Sequence, residues 1–535
     1  CQNIEVTPKT YGATADHRWP FASPPSHEQL GHSHLCVLSV PIYFGSMGER
    51  ERMFNCEQLQ RLAAESVSRD PREVISIEKI GEGAANRAFA ILFRDGFKMV
   101  ARIPYPSTEP KGLIVASEAA TIIFIRSKGV PTPEIFGYSC SPDNAAGTEY
   151  IFMEFCSGTD LGSVWDEMGT EDATRLIQNL VALESQLSDI RLPASGSLYF
   201  LRDLPPDATK VAVDASDSGS PSSIYVGPCT DLHFWFGKRK DLQVNRGPFS
   251  EPVSTMNAGA LKETRYLEKH GRPLLPFDRF QRETFDFQEQ DPAVHLDSLQ
   301  KYLQISKHLI PPVAALTSPI LRHPDLRPSN MFVSDNLEIT ALIDWQHSAA
   351  LPAFLSAGVP DFLGSGPQSS DTAEITNGSE GESDSERLRL LHQRHLYDTY
   401  LAMTERHNAS HFEALAYPFS IGRQKIHPSF LSSNTGAKSL LTRKRRAQSH
   451  LGKTIWKEIL RLDDAEQQGV QQLEEFKATI GLGPQGWVAN EDYDTAMEAI
   501  ARMKELSLEQ AESDEELIAI RDHWVFDDMD EEEYA

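Results

Sequence analysis

Long apolar runs are missing from this chain. The longest, 36–44 and 309–321, are short or broken by proline and fall well below the roughly 20 residues that a membrane-spanning helix needs, so no transmembrane helix is expected. Cysteine is scarce: Cys1, Cys36, Cys56, Cys140, Cys156 and Cys229 are the six in 535 residues, and none forms a C-x-x-C pair. That spacing supplies neither a disulfide framework nor a zinc site and points to reduced thiols. No structural metal is expected. Positive charge is in deficit, with 51 Lys and Arg against 77 Asp and Glu, a net charge of −26. This argues against a general nucleic-acid or anionic-membrane surface, and any nucleotide ligand would depend on local cations and a metal ion. No internal repeat of fixed period occurs. The first residues, Cys1-Gln2-Asn3, carry neither an initiator methionine nor a basic-then-apolar signal pattern. Truncation or processing would explain such an end, and a mitochondrial address stays open.

Hydrophobic residues at 40% and charged residues at 24% are ordinary for a globular protein, and the length suits a two-lobed enzyme with insertions. Residues 1–50 hold scattered proline, histidine and serine without a period, and poor order is expected there. The stretch 364–386, rich in serine, glycine and acids, reads as a solvated linker. Helical spacing recurs at Leu176, Leu180, Leu183 and Leu187, a core-facing stripe, again around 296–309, and in 387–404 and 446–481. Residues 431–526 are expected to be a helical extension, and 527–535 an acidic tail. Arg443-Lys444-Arg445-Arg446 reads as a solvated basic turn rather than a nuclear signal.

The most informative stretch is Leu321-Arg322-His323-Pro324-Asp325-Leu326-Arg327-Pro328-Ser329-Asn330, followed by Ala341-Leu342-Ile343-Asp344-Trp345. Phosphoryl transfer asks a protein to aim a hydroxyl and to hold metal ions on the phosphates while charge spreads. Asp325, bracketed by Pro324 and Pro328 in what reads as a rigid loop, can accept or orient the hydroxyl proton. Asn330 and Asp344 offer the oxygen ligands that magnesium prefers. The runs 331–333 and 339–343 read as strands about the turn residues 334–336, a hairpin that would return Asp344 to the side of Asn330. Each of these residues alone would pass for a loop cap; together they carry a kinase-type pattern.

Upstream, 74–80 reads as a strand, 81–86 as a tight loop with Gly81, Gly83 and Asn86, and 88–93 as the returning strand. The two glycines let backbone N–H groups approach phosphate oxygens. In Lys98-Met99-Val100-Ala101-Arg102-Ile103-Pro104, Arg102 stands near the position of the lysine in the Val-Ala-Ile-Lys pattern of kinases; it reads otherwise as a surface-strand arginine. Glu118 lies in an apolar helical run at 116–125, where it is either the partner of Arg102 or an exposed acid in a first turn. The strand 150–155 leads to Cys156-Ser157-Gly158, and its backbone around Glu154 and Cys156 can meet an adenine edge or simply continue a core strand.

The loop from His323 to Asn330 with Ile343-Asp344-Trp345 resembles the aminoglycoside phosphotransferase-like branch of the protein-kinase fold. Residues 196–200, 227–236 and 244–249 read as an aromatic, turn-rich insertion, and its Gly-Pro, Phe-Trp and Arg-Gly-Pro pieces are similar to those of fungal altered-inheritance-of-mitochondria proteins. The resemblance runs from about 75 to 354. It implies an α+β, two-lobed protein-kinase-like fold, with a small β-rich lobe over 51–155 and a larger helical lobe over 156–430. It further implies ATP and Mg2+ as cofactors, Asp325 as catalytic residue, Asn330 and Asp344 as metal ligands, and Arg102, Glu118, Gly81 and Gly83 around the phosphates. Mitochondrial placement is implied by resemblance, cytoplasmic otherwise. The loop departs from the family, with Ala84-Ala85-Asn86 where relatives commonly have a second glycine and an aromatic residue. Two function classes follow: an ATP-dependent kinase of a small-molecule hydroxyl, or a kinase-like pseudoenzyme that binds nucleotide or a partner without transfer.

Overall fold

The computed structural model describes residues 53–83, 85–217, 219–275, 288–363, 384–417, 493–511 and 513–524. The expected unstructured start at 1–50, most of the linker at 364–386, the basic turn at 443–446, the helix at 446–481 and the acidic tail lie outside the described residues. Contacts divide the chain into a larger unit, Glu57–Gly271 with Ala293–Ala447, and a smaller one that includes Arg272–Pro292 and Gln448–Tyr534. Of the smaller unit, the described part is chiefly two helices, Tyr493–Gln510 and Asp514–His523, packed on each other. All of the site considered below lies in the larger unit.

That unit has the two-lobed, α+β, protein-kinase-like arrangement. Its first lobe begins with helix α1 (Cys56–Ser66) and holds an antiparallel sheet of five strands: β1 (Val74–Glu82), β2 (Asn86–Phe93), β3 (Lys98–Pro104), β4 (Ile135–Ser139) and β5 (Tyr150–Glu154), in the order β1-β2-β3-β5-β4. On β2 the burial alternates, with Phe89, Ile91 and Phe93 inside, as a half-covered strand of period two requires. Between β3 and β4 runs helix α2 (Leu113–Ser127), with Ile114 through Ile122 and Ile125 buried. A helix apolar on nearly every side belongs in a core.

Beyond β5 the chain crosses through residues 155–158 to the short β6 (Thr159–Asp160). Gly158 has φ of +109°, and a Cβ there would come within 2.6 Å of the Val333 carbonyl oxygen, so only glycine fits this crossing. This strand then joins β11 (Met331–Val333) and β12 (Ile339–Leu342) in a sheet of order β12-β11-β6. Helix α3 (Thr170–Ser188) carries the leucine stripe; Leu176, Leu180, Leu183 and Leu187 are all buried in the main core with Trp345. Glu171 and Asp172 sit in its first turn, where acidic side chains meet the positive end of the helix dipole.

The expected turn-rich insertion contains a sheet of its own, β7 (Ser197–Phe200), β8 (Val211–Ala212) and β9 (Ile224–Gly227), in the order β7-β9-β8. Helices α4 (Pro252–His270) and α5 (Pro292–Ile305), a short α6 (Ala314–Thr317) and the bridge-sized strands β10 (Pro319–Ile320) and β13 (Leu351–Pro352) come before and after the loop from His323 to Asn330, followed by α7 (Ala353–Ser356), α8 (Asp384–His407) and α9 (Ala409–Ala416). Two buried polar braces hold this lobe. Arg322 donates to Glu184 at 3.0 Å, and the Tyr400 hydroxyl donates to the same carboxylate at 2.6 Å. Arg239 forks onto Glu263 at 2.8 and 3.1 Å, with Lys262 3.2 Å away.

Candidate active site

Two hairpins and one helix build the site. The first hairpin is tighter than its sequence suggests: β1 continues through Gly81, which pairs with Ala88, and β2 already begins at Asn86. The Gly83 N–H donates to the Asn86 carbonyl at 2.9 Å. The Asn86 amide donates to the Gln346 side chain, and this contact brings the glycine loop to the segment that follows Asp344.

Arg102 lies on β3, opposite Ala88 on one side and Ile151 on the other. Its guanidinium is the hub of the site. One terminal nitrogen donates to Glu118; the other reaches Asp344 Oδ1 at 2.5 Å and Gln346 Oε1 at 3.0 Å. A planar fork serves two carboxylates in different directions at once, which a point-like ammonium does less well. Glu118 is 3% exposed, and the structure therefore settles its two readings in favour of the buried partner of Arg102 over the exposed first-turn acid.

One cation shared by two carboxylates leaves an excess negative charge in a partly dry place. Burial pushes the Glu118 carboxyl up to about 7, with Arg102 opposing and Asp344 adding to the rise. Asp344 moves down, because Arg102 outweighs the cost of its burial. Arg102 itself is held above its ordinary range, since the two carboxylates outweigh its desolvation. The pair thus divides into a carboxylate that keeps its charge and one that readily takes a proton.

The second hairpin presents the loop from His323 to Asn330. Pro328 opens a one-turn 3-10 segment ending at Asn330, a place where the missing proline N–H costs nothing. β11 and β12 then pair Met331 with Leu342, and the Ile343 N–H donates to the Asn330 carbonyl at 2.9 Å. Asn330 and Asp344 are brought together as the hairpin reading requires. Asp344 has φ of +64° and His347 of +61°, a left-handed conformation rare outside glycine that gathers at functional sites. Trp345, fully buried, anchors the turn through an Nε1 bond to the Leu342 carbonyl at 3.0 Å and an edge contact with His323.

His323 supports Asp325 from behind. Its Nε2 meets the Ile343 carbonyl at 2.8 Å and its Nδ1 the Asp325 N–H at 3.2 Å, so these partners assign a neutral ring with the proton on Nε2. Burial lowers its pKa, with the Ile343 bond opposing. Asp325 Oδ2 takes bonds from Arg327 and, at 3.3 Å, from Asn330 Nδ2, which also donates to the Asp325 carbonyl at 2.8 Å. Among the described residues no donor reaches Oδ1, and the carboxylate is 44% exposed. One oxygen is held while the other keeps its lone pairs for a ligand.

The oxygens left over suit a hard cation. Asn330 uses its amide N–H groups and keeps its carbonyl oxygen, and Asp344 keeps Oδ2 while Oδ1 binds Arg102. Among the described residues no group of three or more His, Cys, Asp or Glu side chains is placed to hold a metal. Two protein oxygens alone fit magnesium carried on nucleotide phosphates rather than a dedicated cage. At the end of β5, the Glu154 N–H donates to the Glu134 carbonyl at 2.8 Å, and the Cys156 thiol makes a long contact of 3.9 Å with the Glu154 carbonyl. Cys140, Cys156 and Cys229 are free thiols.

Gln346 and Arg327 were not singled out by the sequence reading. Arg327 had a signal, as the cation two residues after Asp325. Gln346 had none, because its partners Asn86 and Arg102 are more than 240 residues away.

Residues 76–354 match the phosphotransferase enzyme family, more than half of the chain, and the protein belongs to that family. It is 30% identical over 384 residues to a subtelomeric hrmA-associated cluster protein of Aspergillus fumigatus, covering 64% of this chain and 72% of that one. It is 26% identical over 347 residues to altered inheritance of mitochondria protein 9, mitochondrial, of Saccharomyces cerevisiae, covering 59% of this chain and 54% of that relative. A solved putative aminoglycoside phosphotransferase of Ralstonia eutropha aligns over 72% of this chain and 98% of its own, at 15% identity and a TM-score of 0.33.

Proposed function

We propose that the protein is an ATP-dependent phosphotransferase that moves the γ-phosphate to a hydroxyl of a small-molecule acceptor. The observation that carries this reading is the division of the Asp325 carboxylate: Oδ2 is held by Arg327 and Asn330, no donor among the described residues reaches Oδ1, and the side chain is 44% exposed. Such a carboxylate receives an acceptor hydroxyl without reorienting, which is the positioning that phosphoryl transfer requires. Asn330 Oδ1 and Asp344 Oδ2 would hold magnesium, which when bound neutralises phosphate charge. Arg102 would contact phosphate oxygens, kept in place by Glu118. Gly81, Gly83 and Asn86 would line the phosphate loop, and the backbone at Glu154 and Cys156 would meet the adenine. The lobes would divide near residue 155, and the family names of the yeast relatives support a mitochondrial location.

Screening hydroxyl metabolites with magnesium and ATP identifies the acceptor. Asp325→Asn, which keeps size and most hydrogen bonds but removes the anion, is then expected to lower the single-turnover rate by about 10²–10⁴ with nucleotide affinity unchanged. Unchanged transfer in this variant would falsify the role of Asp325. A second reading, a nucleotide-binding pseudoenzyme, draws on the Arg102 bond to Asp344 Oδ1, which occupies half of a metal ligand. Magnesium-dependent ATP binding with no transfer to any acceptor selects it.

A further inference from the structure

Both anionic partners of Arg102 are held by the same piece of structure, and that piece is the insertion. On one side, helix α2, which bears Glu118, packs on β7 and the turn after it: Ala116 shares a buried cluster with Tyr199 and Leu204. The Tyr138 hydroxyl on β4 donates to Asp203 at 2.7 Å and accepts from Arg202 at 2.7 Å, a second tie between the β-rich lobe and the insertion. On the other side, the insertion is stitched to the segment after Asp344. Gly196 and Ala350 exchange backbone bonds at 3.0 and 2.7 Å, Ser197 Oγ donates to the Ser348 carbonyl at 2.7 Å, and the His347 ring meets the Thr230 carbonyl at 2.7 Å. Through the middle, Leu198 and Val226 join the core cluster of Ile122 and Trp345. The pieces are close-fitting: a Cβ at Gly227 would stand 2.8 Å from the Tyr199 ring, and one at Gly196 would strike the Gly227 carbonyl.

We infer that the sheet of β7, β8 and β9 is a brace that fixes helix α2 and the segment after Asp344 to each other, so that the Glu118–Arg102–Asp344 triad is assembled before any ligand binds. Ser197, bonded to the segment after Asp344, and Leu204, packed with Ala116 of α2, are then positioning residues for a site neither of them touches. A helix free to swing would carry Glu118 away from Arg102 and disperse the triad. Here such a swing would expose the Ala116 cluster and open the Tyr138 bonds, which one rigid sheet couples to the bonds at Ser348 and Ala350. The nucleotide consequence rests on the function proposed above; the mechanical coupling does not.

The test perturbs each contact and reads both segments. Leu204→Ala empties the contact under α2, and Ser197→Ala removes the hydroxyl that accepts from the Thr230 N–H at 3.0 Å and donates to Ser348. Amide hydrogen exchange of the full chain, followed by mass spectrometry, compares peptides covering 113–127 and 344–350 with those covering 170–188 as internal reference. Each variant is expected to speed exchange at least tenfold in both test segments and to leave the reference unchanged. Loosening only of the segment each residue touches, or an equal rise in all three, overturns the brace. Titration with magnesium and a non-hydrolysable ATP analogue then reads positioning: the Kd is expected to rise about tenfold in both variants, and an unchanged Kd overturns the positioning role. A wild-type chain that fails to bind the analogue refutes the nucleotide reading, while the exchange data still decide the brace.

Discussion

Replacing Arg102 by methionine removes the cation but keeps most of the apolar stem, and the structure sets the scale of the result. The Arg102 side chain is 13% exposed and Glu118 3%; removing one partner of such a buried pair costs about 3–5 kcal/mol. The Asp344 arm adds little, because that carboxylate is 38% exposed and water screens it. The Glu118 arm depends on pH. Burial first, with Asp344 adding, raises its carboxyl from an ordinary 4.5 to about 7, against the pull of Arg102, and the substitution removes that pull and lifts it further. Between the unfolded and the folded pKa the folded chain binds the extra proton, so stability falls as pH rises through this interval. In the wild type the fall ends near the folded value; in Arg102→Met it continues above it. Urea unfolding is therefore expected to show a small loss, under about 1 kcal/mol, at about pH 5.5, and a loss of about 3 kcal/mol at about pH 8. Glu118→Leu in the same chain removes the stranded acid and should restore most of the difference. An equal loss at both pH values, or no restoration by the second substitution, refutes the buried-pair reasoning.

Magnesium should strengthen nucleotide binding strongly in the wild type and weakly in Asp344→Ala, since the carboxylate is the only anion among the proposed metal ligands; calorimetric titration with and without magnesium checks this, and equal metal dependence removes Asp344 from the site. Leu180 is fully buried in the main core, so Leu180→Ala is expected to cost about 2–5 kcal/mol in denaturant unfolding, whereas a loss below about 1 kcal/mol would mean the site collapses around the smaller side chain.

Much of the protein was legible in its residues because much of its chemistry is local. The strand, loop and strand from Val74 to Phe93 follow from alternation and glycine, the leucine stripe of α3 from a period of 3.6, and the return of Asp344 to Asn330 from two short apolar runs about a turn. The pattern from His323 to Asp344 carried the family because its spacing is set by one loop and one hairpin. What the sequence left open concerned partners far apart in the chain. Glu118 could be an exposed helix-start acid or a buried counter-ion; only the packing of α2, which leaves that position 3% exposed and bonded to Arg102, decided it. Gln346 could not be found, since a lone amide has no periodicity and its partners come from other strands. The insertion read as aromatic and turn-rich with no role, because β7, β8 and β9 acquire meaning only where they meet α2 on one side and residues 345–350 on the other. Local propensity and spacing determined the elements and the loop from His323 to Asn330, whereas burial, shared charge and long-range contact, which arise only when the elements pack, decided how Arg102 joins Glu118 to Asp344.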